Sequence, residues 1–331
     1  MVAETHYSIG LDVGGSRIKA GIVGSDGTIH YKITVNTGRS GKEVVKQVLR
    51  IINDLLSKAE TNKSVEMIHG IGIGVTGQVD FKTGTIIAGL EDKIPGWIGT
   101  PLKSIVEEKY DLPVLVENDG KVAALAEMFF GGHGEFKDLV CLTLGSGVGG
   151  GIIINGELHR PSKGAAGELG HIIINADDLD KPGYFGRLES YVSSNALIRY
   201  AYEEVVRRRS GFLYDRCGLE KNCITPELIK EAALKGDKAA LKAIDKMAFY
   251  LGSGLASIAA FLGPDIIVLA GGLTNLGDLL LNPTVKYMRK YAFGITAKYT
   301  RVVLSKLGFF SGVLGAAALI FHYVLGVKGL E

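Results

Sequence analysis

The sequence predicts an α/β protein of two domains, and three observations carry that expectation. A glycine loop, Asp12-Val-Gly14-Gly15-Ser16-Arg17-Ile-Lys19, lies between strand-like segments near the start. A second, Leu144-Gly145-Ser146-Gly147-Val-Gly149-Gly150-Gly151, lies between strand-like segments near the middle. The 331 residues exceed the size at which a single core stops growing, so two cores are expected. Glycines let backbone N–H groups approach an anion with no Cβ in the way, which makes each loop a candidate phosphate cradle.

The second loop formally satisfies G-x-G-x-x-G, which in a dinucleotide fold must open a helix. Here it runs into Ile152-Ile153-Ile154, a β-branched run that predicts a strand. No G-x-x-x-x-G-K-[ST] occurs anywhere, which removes the P-loop. A strand-turn-strand phosphate loop, used once in each half, is what remains.

Along the chain, strands are predicted at 7–13, 17–24 and 28–35, joined by glycine-rich turns as an antiparallel meander. A helix opens at the capping box Ser40-Gly-Lys-Glu43 and continues through Val44, Val48, Leu49, Ile52 and Leu56 at helical spacing. Strands follow at 67–75 and 114–117, then an apolar helix from Val122 to Phe130. The pattern then repeats. Residues 139–144 and 151–155 form a second hairpin, His171–Asn175 a third strand, and helices run from about Ser190 to Leu262, one starting at the N-cap pair Thr225-Pro226. The apolar window Met247 to Gly263 is expected to be a buried helix feeding the strand Ile266–Leu269, which ends at Gly271-Gly272. The last helix spans about Gly312 to Val324. Residues 1–118 are expected to form a smaller domain, completed by a C-terminal helix at about 312–331, and 119–311 a larger one with helical insertions. A nucleotide held in a cleft between two such halves, closing by hinge motion, is the functional expectation.

Composition narrows the function class. The chain is 47% hydrophobic and 22% charged with a net charge of +2, an ordinary soluble composition that argues against a nucleic-acid partner. The one basic run, Arg207-Arg208-Arg209, reads as a solvated helix face. The N-terminus has neither a basic nor an apolar leader segment and no membrane span is expected, so the cytoplasm is the expected compartment. Of the three cysteines, Cys141 is expected in the core, while Cys217 and Cys223 are expected as free thiols in one loop.

Two clusters could do chemistry. Glu117-Asn118-Asp119 sits where a strand ends and a helix begins, a position that stabilises a carboxylate anion. Asn118 adds an amide suited to holding a hydroxyl of the same ligand. Gly167-Glu168-Leu-Gly170-His171 supplies a second polar pair among small residues that allow close approach.

These motifs resemble the ROK family (repressors, uncharacterised reading frames and sugar kinases) of the hexokinase, Hsp70 and actin ATPase superfamily. Asp12-Val-Gly14-Gly15-Ser16 is similar to the family's D-x-G-G-T, and Gly74-Val-Thr-Gly77-Gln-Val-Asp80 to its G-x-x-G-x-V-D. Pro95-Gly96-Trp97, Glu117-Asn118-Asp119, the second glycine loop, Gly167–His171 and Gly271-Gly272 follow in the family's order. The resemblance implies duplicated ribonuclease-H-like (actin-like ATPase) domains and an ATP-dependent hexose 6-kinase. Asp119 is then the general base, and Gly77, Asn118, Glu168, His171 and Glu189 bind the sugar. Gly14, Gly15, Ser16, Arg17, Gly145, Ser146, Gly147, Gly271 and Gly272 hold ATP, and Asp12 places Mg²⁺ through water or phosphate. Glucose is the leading acceptor, with N-acetylmannosamine, N-acetylglucosamine, fructose and allose as alternatives and polyphosphate as an alternative donor. A homodimer is also implied.

Departures from the pattern carry expectations of their own. Where most members have C-x-C-G-x-x-G-C-x-E, this chain reads Asp180-Lys-Pro182-Gly-Tyr-Phe-Gly186-Arg187-Leu-Glu189, which removes three zinc ligands and predicts no structural zinc. Cys217 and Cys223 are the alternative ligands. Lys93 stands where many sugar kinases of the family have Asn, which puts the sugar in question rather than the reaction. A repressor role would call for a helix-turn-helix ahead of the strand at Tyr7, and a sugar-binding protein without catalysis is the remaining alternative.

Overall fold

The computed structural model describes residues 5–61, 65, 67–89, 91–160, 164–181 and 186–327. Pro182, one of the positions replacing a zinc cysteine, and the extreme N-terminal residues 1–4 lie outside them.

The first half runs β1 (Tyr7–Val13), β2 (Arg17–Gly24), β3 (Ile29–Asn36), α1 (Gly41–Thr61), β4 (Ile68–Val75), β5 (Gln78–Asp80), β6 (Thr85–Ala88), α2 (Leu102–Glu107), β7 (Val114–Asn118) and α3 (Asp119–Phe130). It continues through β8 (Leu139–Leu144), β9 (Val148–Ile154), β10 (Glu157–Leu158), α4 (Glu189–Val192), α5 (Ser194–Arg208), α6 (Phe212–Cys217), α7 (Pro226–Leu234) and α8 (Lys238–Leu262). The chain ends with β11 (Ile266–Ala270), α9 (Asp278–Tyr291), α10 (Thr296–Tyr299), β12 (Arg301–Leu304) and α11 (Ser311–Tyr323).

Two five-stranded sheets result, in the orders β3-β2-β1-β4-β7 and β10-β9-β8-β11-β12. In the first, β1–β2–β3 is an antiparallel meander and β4 and β7 add in parallel. In the second, β10 is antiparallel to β9, and β11 is parallel to both β8 and β12. One strand order is thus used twice. Each repeat opens on a hairpin whose turn is a glycine loop, and the missing side chains leave the backbone there open to approach.

The chain divides into two compact units, residues 1–137, 151–167 and 306–331, and residues 138–150 and 168–305. The division falls after Lys137, so α3 belongs to the first unit, whereas the sequence reading started the second domain at Asp119. The reason is packing: the helix that begins at Asp119 is buried almost throughout against the first unit's own elements. In the first unit, α11 lies across β1 and β4, and glycine decides how closely. A Cβ on Gly72 would stand 1.7 Å from the Ala316 carbonyl oxygen, so no other residue fits at that crossing.

Two local expectations are corrected. Residues 171–175 are not a strand: Leu169–His171 forms a 3₁₀ turn, and Ile173 makes one isolated bridge to Arg187. A β-branched run becomes a strand only where a ladder accepts it, and here one bridge is all the neighbouring backbone offers. Cys217 and Cys223 are not free thiols but a disulfide. The end of α6 and the turn at Lys221–Cys223 fold the chain back, with Gly218 at φ +56°, until the two Cα atoms are 5.5 Å apart, within bridging range.

Candidate functional site

In the first unit the Glu117-Asn118-Asp119 turn is built from the strand end upward. Asn118 is the N-cap of α3, its Oδ1 accepting from the Gly120 and Lys121 N–H groups at 3.0 and 3.3 Å. That is what an asparagine at a helix start does, satisfying donors the helix leaves open. Its Nδ2 donates to the Gly77 carbonyl at 2.9 Å and to Asp119 Oδ1 at 3.2 Å, and Asp119 Oδ1 also accepts from the Gly120 N–H at 2.8 Å. The Asp119 carboxylate is therefore held by donors at the positive end of a helix. Trp97 locks the neighbouring turn, its indole N–H reaching the Thr76 carbonyl at 3.1 Å.

Beneath this turn lies a charge cluster that sequence reading did not foresee. Glu117 is wholly buried, and its carboxylate takes the Arg160 Nε at 2.6 Å, Lys121 Nζ at 3.5 Å and the Asn118 N–H at 2.8 Å. Arg160 lies against the rings of both Phe81 and Tyr323, whose centroids are 3.8 and 4.4 Å from its guanidinium carbon. Lys121 Nζ also donates to the Gly164 carbonyl. The sequence signal was partial: Glu117 and Lys121 stand four apart, but nothing local points to Arg160, 43 residues on.

The first glycine loop is a tight turn closed by the Gly14 N–H on the Arg17 carbonyl at 3.0 Å. Thr37 holds it from the end of β3, its hydroxyl donating to the Gly14 carbonyl at 2.7 Å and its N–H to the Ser16 carbonyl at 3.0 Å. Ser16 and Arg17 are exposed and Gly15 is half-buried at the tip. Asp12 pairs with Lys19 Nζ at 2.6 Å and lies against Gly312, in the first turn of α11.

In the second unit the predicted residues converge on the start of β9. The second glycine loop is closed by the Gly145 N–H on the Gly147 carbonyl at 2.9 Å, with Ser146 at its tip, and its Gly145 carbonyl accepts from the Ser194 N–H at 2.8 Å. Glu189 Oε2 accepts from the Val148 N–H at 2.8 Å, and a Cβ on Gly147 would stand 2.6 Å from that same oxygen. Gly170 packs on the Val148 carbonyl, 2.3 Å from where its Cβ would be. Glu168 and His171 are exposed on that turn, with the His171 N–H on the Glu168 carbonyl at 3.0 Å. Gly271 ends β11 beside the Leu144 carbonyl, and Gly272 opens the 3₁₀ turn Gly272–Leu276. The predicted residues thus form two groups, one in each unit.

Among the described residues no three His, Cys, Asp or Glu side chains gather as a metal site. Arg187, at one of the cysteine positions, is a cation whose Nη1 stands 3.4 Å from His171 Nδ1, and the two remaining candidate thiols are bonded to each other. No helix among the described residues is long and apolar enough to cross a membrane.

Comparison with known proteins places this geometry. A model of the ROK family matches residues 8–322. The chain is 34% identical over 322 residues to a glucokinase of Halalkalibacterium halodurans, covering 95% of this chain and 94% of that one. It is 31% identical to a xylose repressor of Caldicellulosiruptor bescii, covering 96% of this chain and 78% of the repressor. Among solved structures, a ROK family glucokinase from Streptomyces griseus in complex with glucose and AMPPNP superposes with a TM-score of 0.80 at 33% identity, covering 95% and 98% of the two chains. The repeated strand order, the two glycine loops and a family match spanning both units leave one conclusion, that this chain belongs to the ROK family.

Proposed function

We propose that this protein is an ATP-dependent hexose 6-kinase with glucose as its acceptor. The observation that carries the reading is the Asp119 carboxylate, held by the Gly120 N–H and the Asn118 amide at the start of α3, in a chain akin to glucokinases along almost its whole length. In this reading Asp119 takes the proton of the sugar 6-hydroxyl as that oxygen bonds to the γ-phosphorus and the bond to the β,γ-bridging oxygen breaks, releasing ADP. The transfer demands positioning and charge neutralisation more than a strong base. Asn118, Gly77, Glu168, His171 and Glu189 hold the remaining hydroxyls. The loops at Gly14–Arg17 and Gly145–Gly147 present backbone N–H groups to the phosphates, and Gly271-Gly272 flanks the adenosine. Asp12, a hard oxygen donor, is the residue that would hold Mg²⁺ through water, and bound Mg²⁺ supplies charge neutralisation at the β- and γ-phosphates. A cytoplasmic, zinc-free homodimer completes the reading.

The test is ADP release with MgATP against glucose, mannose, fructose, allose, N-acetylglucosamine and N-acetylmannosamine, with polyphosphate as a second donor. Turnover highest on glucose is expected. Preference for another hexose would keep the kinase and change its acceptor. Sugar binding without turnover on any of them would favour a regulatory role, a reading kept alive by the likeness to a xylose repressor.

A further inference from the structure

We propose that the Tyr191 hydroxyl is the pin that positions the sugar-binding segment, holding His171 and Glu189 at the two ends of one polar-stapled loop. The inference rests on the kinase reading for its substrate, and on geometry within the second unit for everything else.

The loop leaves the 3₁₀ turn at His171 and returns at Glu189. Its limbs are Ile172–Lys181 and Gly186–Leu188, paired by backbone bonds from the Ile174 and Asn175 N–H groups to the Gly186 carbonyl at 2.8 and 3.1 Å and from the Leu188 N–H to the Ile172 carbonyl at 2.9 Å. Three such bonds, two of which make up the isolated Ile173–Arg187 bridge, are a thin ladder for a segment that carries functional side chains at both ends. Tyr191 thickens it. Its hydroxyl donates to Asp178 on the outgoing limb and accepts from the Gly186 N–H on the returning limb at 3.3 Å. A phenol can do both at once, which neither a carboxylate nor an ammonium can. Asp178 is fixed in turn by Lys181 Nζ at 2.6 Å.

The pin itself is rigid. Tyr191 is 4% exposed, its ring lies 4.3 Å from the Tyr250 ring on α8, and its carbonyl accepts from the Tyr200 hydroxyl at 3.3 Å. The hydroxyl is thus positioned by the helical layer, and it transmits that position to the loop. At the loop's far end, Arg187 Nη1 meets His171 Nδ1 at 3.4 Å. An arginine only donates, so Nδ1 is the acceptor and the ring proton sits on Nε2, leaving His171 with a donor for a sugar oxygen. Glu189, two residues before Tyr191, is aligned by the same helix start and by the Val148 N–H. Tyr191 is a positioning residue: it acts through His171 and Glu189.

Tyr191→Phe keeps the ring and its packing and deletes the hydroxyl's bonds to Asp178 and to the Gly186 N–H. Two measurements are made on it and on Asp178→Ala: steady-state kinetics with glucose and MgATP, and hydrogen exchange of the Ile174, Asn175 and Leu188 amides without sugar. Expected are faster exchange at those amides and a glucose KM raised about tenfold, the loss of a hydrogen bond to a charged group, with kcat and the ATP KM within about twofold. Unchanged exchange would overturn the pin. Faster exchange with an unchanged glucose KM would overturn its role in sugar positioning, while glucose turnover by the unaltered protein, measured alongside, reports separately on the kinase reading. A parallel loss in both KM values and kcat would mark a general structural defect and also overturn the proposal.

Discussion

Asp119 and Glu117 are two carboxylates two residues apart. Asp119 takes the Gly120 N–H and the Asn118 amide at a helix start, and Glu117 is wholly buried against two cations. If Asp119 acts on the transition state, Asp119→Ala lowers kcat by about 10²–10⁴-fold and leaves the glucose dissociation constant within about tenfold. Calorimetric titration beside a turnover assay separates the two, and a large loss of affinity with retained kcat would make Asp119 a binding residue instead. Glu117→Gln leaves the buried Lys121 and the half-buried Arg160 without their shared carboxylate, and is expected to destabilise the protein by about 3–5 kcal/mol. Urea denaturation checks this, and a change under about 1 kcal/mol would show that the cluster is solvated in solution. The helix start was legible at residue scale, but sequence reading assigned the Asn118 amide to a ligand hydroxyl, and in the structure its side chain caps the helix. Arg160 was not legible, because it lies 43 residues from Glu117, beyond a helix and three strands.

The loop from Ile172 to Leu188 is the element on which sequence reading erred. Three consecutive isoleucines have strand propensity, yet the chain there makes one isolated bridge, and the Tyr191 hydroxyl bonds both limbs beside it. Hydrogen bonds from Lys181 and then Tyr191 hold the Asp178 carboxyl below its ordinary value of 3.8, while burial and then the Asp178 hydrogen bond push the Tyr191 hydroxyl above its ordinary value of 10.0. A lowered carboxyl stabilises the fold above its unfolded-state value, and that contribution is lost as pH falls through the lower folded-state value. A raised phenol stabilises it below its unfolded-state value, and that contribution is lost as pH rises through the higher folded-state one. Both contributions are present together between about pH 5 and 9. The stability difference between the unaltered protein and Tyr191→Phe is expected to be flat across that window and to shrink on either side, as measured by denaturation at a series of pH values. A difference that instead titrates near neutrality would place another group in the network. The disulfide is an element-scale correction too: a six-residue spacing matches no framework, and only the reversal at Gly218 brings the sulfurs together.

At the scale of the whole molecule, two sheets repeat one strand order, and each repeat begins with a glycine turn between hairpin strands. This much followed from strand periodicity and glycine placement, both local properties of the chain. The same scale carries the metal prediction. Protein treated with a chelator and returned to Mg²⁺ with zinc kept out is expected to keep its melting temperature and its turnover, since a cation stands where a ligand would have to be. A loss of either that zinc alone restores would contradict it. Where one compact unit ends and the other begins was misplaced in sequence reading, because the buried helix from Asp119 to Phe130 carries no mark of the C-terminal helix α11 that it packs against.

The sequence by itself determined the α/β repeat, the two glycine loops, the helix cap that bears Asp119 and the family to which the chain belongs. All of these depend on residues within a few positions of one another, where spacing and conformational preference act directly. The tertiary structure decided which distant partners complete them: Arg160 under Glu117, the Tyr191 hydroxyl across two limbs of a loop, Arg187 on His171, and Cys217 on Cys223. Those pairings follow from packing, which brings together groups whose separation along the chain leaves no periodic trace.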